Sequence, residues 1–138
     1  MGQLQPIHPL TVLIVEDDED QRYLVGTLFE EAGFKVLECD NAEEALALMH
    51  DKGERMALVY TDVRLPGRLD GVDLAQSVRR ELPEVPVILT SGSAGERLKD
   101  MPDNTVFMQK PWRALDLLMS AERVLVHAER PQWRGDVL

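Results

Sequence analysis

Cysteine occurs once in the 138 residues, at Cys39, so the chain can close no internal disulfide and build no cysteine-rich zinc site. Cys39 reads as a small buried apolar residue, and a reducing, cytoplasmic setting is the expectation. Basic residues are few as well: 15 Lys and Arg stand against 25 Asp and Glu, a formal net charge of −10. A sequence-independent grip on nucleic acid needs basic side chains to neutralise phosphates, so direct nucleic-acid binding is disfavoured. Long apolar runs are missing. Val12-Leu13-Ile14-Val15 falls far short of a membrane span, and the start Met1-Gly2-Gln3-Leu4-Gln5-Pro6 lacks the basic flank and apolar stretch of a signal peptide, so no membrane insertion is expected. There is no internal repeat and no low-complexity tract. His8, His50 and His127 lack metal-ligand spacing and read as structural or surface residues.

What remains is 44% hydrophobic residues at a length that suits one core. The expected layout is a lead-in over 1–10, one domain over 11–128 and a tail over 129–138, where Trp133 either anchors a partner or folds back. Thr11–Val15 is a continuous apolar run, as in a strand covered on both faces. Leu24, Val25, Leu28, Phe29 and Ala32 then recur at helical spacing and stop at Gly33. Phe34–Glu38 is a second strand. Asn41 and Glu44 form a capping-box pattern opening a helix with Ala42, Ala45, Leu46 and Met49, which ends near Gly53. Met56–Thr61 is a third strand, followed by the loop of Pro66, Gly67 and Gly71 and a helix carrying Val72, Leu74, Ala75 and Val78. Val85–Thr90 and Thr105–Met108 complete the strands. A short, weakly amphipathic fourth helix is expected around Leu98 and Met101. The last helix is lined by Trp112, Leu115, Leu118, Met119, Val124 and Leu125.

Five strands alternating with five helices predict an α/β fold: a doubly wound, five-stranded parallel sheet with helices on both faces, built from right-handed crossovers. In such sheets ligands bind beyond the carboxyl ends of the strands. Strand one ends in Glu16-Asp17-Asp18-Glu19-Asp20, strand three in Asp62, strand four in Ser91 and strand five in Lys110-Pro111. With the flavodoxin-like strand order 2-1-3-4-5, Glu16, Asp17 and Asp62 meet at one edge. Carboxylates so close repel unless a cation lies between them, and Mg²⁺ suits an all-oxygen site that also handles phosphate. Lys110 and Ser91 are placed to grip a phosphoryl group, and a carboxylate can take one as an acyl phosphate, so Asp62 is a candidate phosphoacceptor. The plainer readings assign Asp18 or Glu19 to capping helix one, the Ser91-Gly92 pair to turn chemistry, and Phe107 to the core.

The set Val-Glu16-Asp17-Asp18, Asp62-Val-Arg-Leu-Pro66-Gly67, Ser91-Gly92 and Lys110-Pro111-Trp112 resembles the receiver domain of two-component response regulators over about residues 11 to 128. The resemblance implies transfer of a phosphoryl group to Asp62 from a phosphohistidine on a histidine kinase or a histidine phosphotransfer protein. It further implies Asp17 as a direct Mg²⁺ ligand, Glu16 acting largely through bound water, one oxygen from Asp62, and the backbone carbonyl of Arg64. The switch would run through Ser91 and Phe107. On this reading the chain is a signalling module and not a turnover enzyme, with a homodimer through the helix 4–strand 5–helix 5 face left open. Some features depart from the usual pattern. Glu16 stands where Asp is commoner, Arg64 puts a long cation beside Asp62, and Phe107 lacks a phenolic hydroxyl. The Pro66–Gly71 loop is one residue longer, and the segment from Ser91 to Phe107 is shorter. These last two features resemble a receiver subgroup found alone or fused to sensor kinases. Two alternatives use the same fold: an Mg²⁺-dependent aspartyl-phosphate phosphatase or phosphotransferase of the haloacid-dehalogenase kind, whose second Asp is here Arg64, and a non-phosphorylated interaction module.

Overall fold

The computed structural model describes residues 10–52, 56–93 and 97–129. Five parallel strands lie in the order β2-β1-β3-β4-β5: β1 (Thr11–Val15), β2 (Lys35–Cys39), β3 (Met56–Asp62), β4 (Val87–Ser91) and β5 (Thr105–Gln109). This is the predicted doubly wound sheet. The crossovers are α1 (Glu19–Glu31), α2 (Ala42–Lys52) and α3 (Gly71–Glu81), and α4 (Ala114–Glu129) follows β5. The lead-in 1–9, Gly53, residues 94–96, and the tail from 130, with Trp133, lie outside the described residues.

Alternation along the strands divides the core into two layers. Leu13, Val15, Val59 and Val87 face α2 and α3, where Ala42, Ala45, Met49, Leu74, Ala75 and Val78 close the layer. Val12, Ile14, Leu58, Tyr60 and Ile88 face α1 and α4 through Val25, Phe29, Leu117, Ala121 and Val124. Because every residue of β1 is buried, a polar residue can follow it only where the strand leaves the core, at its carboxyl end.

Helix ends follow their cap chemistry. The Asp18 carboxylate accepts from Gln21 N at 2.9 Å and starts α1, while Gly33 takes φ +101° just past its end. The Asn41 side-chain oxygen accepts from Glu44 N at 2.7 Å at the start of α2. Asp70 and Asp73 form a reciprocal capping box on α3.

Three expectations are corrected. The helix predicted around Leu98 and Met101 is a single 3₁₀ turn, Leu98–Asp100, so the described residues hold four α-helices and not five. The segment is short and stopped by Pro102, and it lies along α3 through polar side chains at three-residue intervals. Asp70 and Asp73 meet Arg97 at 3.0 Å, Gln76 Nε2 donates to the Asp100 carbonyl at 3.0 Å, and Arg79 meets Asp103 at 2.9 Å. Met101 contributes the apolar contact, against Val63, Val72 and Leu89. The inward face of α4 is likewise different: Leu117, Ala121 and Val124 are buried, whereas Leu115 and Met119 are exposed, and Trp112 precedes the helix. On α1, Leu24 and Ala32 are exposed and Val25, Gly26 and Phe29 face the core. Both helices carry apolar residues on more than one side, so spacing alone does not select the inward stripe. Two strands are also displaced by one or two residues from their expected starts, β2 to Lys35 and β4 to Val87.

Candidate functional site

The carboxyl ends of β1, β3, β4 and β5 open into one cavity of about 510 Å³. Glu16, Asp17, Asp62, Arg64, Ser91 and Lys110 all line it. Glu16 and Asp62 are buried and Asp17 is exposed, and one carboxylate oxygen from each lies within 4.8 Å of the others. Lys110 closes the opposite side, with Nζ 2.8 Å from Asp62 Oδ1 and 3.5 Å from Glu16 Oε1. Among the predicted residues, Phe107 alone is absent from the cavity wall. It sits half-buried on β5, paired in register with Leu89 of β4.

Each side chain is held by its element. Glu16 N donates to the Cys39 carbonyl at 3.1 Å, continuing the β1–β2 pairing one residue beyond the strand. Its carboxylate turns back, and Oε2 accepts from Asp18 N at 3.0 Å. Oε1 is buried without a hydrogen-bond partner. Its one close cation among the described residues is the Lys110 ammonium, which also pairs with Asp62, so three clustered carboxylates share one resident positive charge, an arrangement that favours a further cation among them. Arg22 of α1 donates from Nη1 to the Glu16 carbonyl at 2.7 Å and pairs with Glu38 of β2 at 3.5 Å, which fixes the backbone where the acidic turn begins.

Asp62 ends β3, where Val63 N donates to the Thr90 carbonyl at 2.8 Å and Gly71 N to the Val63 carbonyl at 2.7 Å. A Cβ added to Gly71 would collide with the Asp62 carbonyl oxygen, so α3 starts against the backbone of Asp62. The longer loop between them is held from α2. Glu43 accepts from Arg68 N at 3.0 Å and Leu69 N at 3.2 Å, and its own backbone N–H first, then these bonds, keep its carboxyl below the usual carboxylate range. Ser91 is turned into its own loop: its hydroxyl accepts from Ser93 N at 3.0 Å and lies 3.3 Å from the Ser93 carbonyl. Lys110 N donates to the Ser91 carbonyl at 2.9 Å, and the Lys110–Pro111 peptide bond is cis.

The electrostatics follow from this burial. Burial first, and then the Asp62 carboxylate, push Glu16 from 4.5 up to about 7. Burial alone would lower the Lys110 ammonium, but the Asp62 and Glu16 carboxylates more than offset it and hold the group above the ordinary lysine value. The site therefore has a fixed cation on one wall and a proton-sensitive carboxylate at its base. All three clustered ligands are hard oxygen donors, which fits Mg²⁺ or another hard divalent ion.

The response regulator receiver domain model matches residues 12–120. The chain belongs to the response regulator receiver family. Among curated relatives, this receiver domain is 35% identical over 120 residues to the nitrogen assimilation regulatory protein NtrX of Azorhizobium caulinodans, covering 83% of this chain and 26% of NtrX. It is 36% identical over 91 residues to the autoinducer 1 sensor kinase/phosphatase LuxN of Vibrio campbellii, covering 66% of this chain and 10% of LuxN. The receiver thus spans about a quarter or less of these relatives. With the receiver protein CpdR of Brucella abortus the match covers 85% of this chain and 98% of CpdR at 29% identity. The fold matches a receiver protein from Sinorhizobium medicae at TM-score 0.83, with 22% identity over 89% of this chain and 99% of that one. It also matches the receiver domain of NtrX from Brucella abortus at TM-score 0.70, with 32% identity over 83% of this chain and 97% of that one.

Sequence reasoning missed the residues that hold this receiver's site from a distance. Arg22, Glu43 and Arg97 carry no local motif. The partners of Glu43 lie 25 and 26 positions away and the Asp70 partner of Arg97 lies 27 away, so no short-range spacing points to them. None of the described helices is long and apolar enough to cross a membrane.

Proposed function

We propose that the chain is a phosphoaccepting receiver module of a two-component system or phosphorelay, with Asp62 as the phosphoacceptor. The observation that carries this reading is the convergence of Glu16, Asp17 and Asp62 within 4.8 Å, faced by Lys110 at 2.8 Å from Asp62. Asp17, Asp62 and the backbone carbonyl of Arg64 would hold Mg²⁺ directly, with Glu16 acting largely through bound water. When bound, the ion neutralises charge on the phosphoryl oxygens and on the carboxylates around them. Asp62 supplies the nucleophilic oxygen: a new P–O bond forms as the P–N bond of a phosphohistidine breaks, and the imidazole leaves. Lys110 provides a fixed positive charge on the side away from Asp17, and Ser91 a hydroxyl donor after it turns from Ser93. Phe107, on β5 beside the strand that ends in Ser91, would move with Ser91.

The donor proposed is a histidine kinase or a histidine phosphotransfer protein. Support comes from relatives named sensor kinases, LuxN and CckA, that contain a segment similar to this chain. The domain is proposed to span 11–128 and to work in the cytoplasm as a switch of protein contacts and not as a turnover enzyme. Position 64, where a haloacid-dehalogenase-like phosphatase carries its second Asp, is Arg. A homodimer is a further proposal, and its helix 4–strand 5–helix 5 face would here include a 3₁₀ turn in place of the helix. Incubation with a labelled phosphohistidine donor and Mg²⁺ tests the reading. Label is expected on the wild type and absent from Asp62→Asn, and equal labelling of both would refute it.

A further inference from the structure

Two peptide groups flank Asp17, the exposed member of the carboxylate cluster, and each is held by a different side chain. The Glu16–Asp17 group is held through its carbonyl, which accepts from Arg22 Nη1 at 2.7 Å. The Asp17–Asp18 group is held through its N–H, which donates to Glu16 Oε2 at 3.0 Å. A peptide group is planar, so fixing its carbonyl or its N–H from the side restrains the Cα atoms at both of its ends. Because the Asp17 side chain is exposed, the backbone on either side of it sets where its carboxylate stands.

Arg22 is itself held at two points. Its backbone N–H donates to the Asp18 carbonyl at 2.9 Å as α1 begins. Its Nε lies 3.5 Å from Glu38 Oε1 on β2, and the other Glu38 oxygen lies over Gly26 of α1, 2.7 Å from the point that a Cβ would occupy. The guanidinium thus ties the end of β1 to α1 and β2.

Charge and position act in opposite directions here. A guanidinium bonded to the Glu16 backbone repels a cation brought to the neighbouring carboxylates, and removing it would leave Glu38 unpaired as well. By charge alone, the site would bind a divalent ion more tightly without Arg22. Its short bond goes to a carbonyl, so what Arg22 can add to cation binding is the direction of the chain at Asp17.

We infer that Arg22 is a positioning residue for the cation site: by holding the Glu16 carbonyl from α1 and β2 it presents the Asp17 carboxylate to the ion without touching the ion. This deepens the receiver reading above and rests on it for the ion.

The test is a calorimetric titration of the metal-free full chain with Mg²⁺ at constant ionic strength, together with hydrogen exchange of the Asp18 amide in the absence of metal. Arg22→Ala is expected to weaken Mg²⁺ binding about tenfold, as for other groups that orient the ligands of a metal. Arg22→Lys, which keeps the charge and a donor but loses the fork, is expected to lose less. The Asp18 amide of the alanine variant is expected to exchange at least about threefold faster than that of the wild type. If Arg22→Ala fails to fold, Arg22→Met, which keeps the apolar stem, takes its place under the same expectations. An Mg²⁺ affinity unchanged or raised in the variant, the direction that charge alone gives, overturns the inference, and so does an Asp18 amide that exchanges no faster. A wild type that binds no Mg²⁺ overturns the cation site of the receiver reading and the inference together.

Discussion

Lys110 Nζ stands 2.8 Å from Asp62 Oδ1, so the ammonium at the end of β5 is the resident counter-charge of the carboxylate at the end of β3. The two strands are not neighbours, since β4 lies between them, and the pair bridges the sheet across Ser91. Lys110 also reaches Glu16, so a single ammonium serves two buried carboxylates.

Removing that cation leaves both carboxylates facing each other. Lys110→Ala is therefore expected to destabilise the metal-free protein by about 1–3 kcal/mol. Mg²⁺ should restore more stability to the variant than it adds to the wild type, because the ion then supplies the missing charge. Urea denaturation of both proteins with and without Mg²⁺ measures the difference, and equal Mg²⁺ increments would contradict the shared-site account.

Glu16 gives the site a pH dependence of defined sign. Its value rises from 4.5 to about 7 on folding, so the folded state holds its proton more tightly than the unfolded chain does. The stability it contributes is full below pH 4.5 and is lost as pH rises through 7. In metal-free buffer, Glu16→Gln should be the more stable protein at pH 8 by about 1–3 kcal/mol. The gap should shrink toward pH 4.5. The same gap at both ends of the range would contradict the shift.

Gly71 is required by contact and not by backbone dihedral. A methyl group there meets the Asp62 carbonyl oxygen and the backbone of Val63. Gly71→Ala is expected to cost about 3 kcal/mol or more, or to push α3 away from the site. Thermal unfolding checks the first outcome and Mg²⁺ affinity the second, and a variant unchanged in both would show that the helix start yields easily.

The strands and the site were legible because both depend on local pattern. A fully buried strand must be apolar along its length, so Val12–Val15 and Leu58–Tyr60 announce themselves, and the first carboxylates after them mark the strand ends. The inward faces of α1 and α4 were less legible, since Leu24, Leu115 and Met119 are apolar yet exposed. The 3₁₀ turn in place of a helix, and the clamp of Arg97 on Asp70 and Asp73, depend on pairing across 24 and 27 positions of sequence. Charge patterns on one element cannot disclose such contacts, and nothing in the α3 sequence marks Asp73, Gln76 and Arg79 as partners of a distant segment.

The central claim is that Asp62 takes the phosphoryl group. The most direct measurement is treatment of the wild-type chain with acetyl phosphate and Mg²⁺, trapping of the acyl phosphate by borohydride reduction, and identification of the reduced residue by peptide mass spectrometry. The account predicts modification at Asp62, lost on chelation of Mg²⁺. Modification at Asp17 or another carboxylate, or labelling of Asp62 undiminished by chelation, would contradict it.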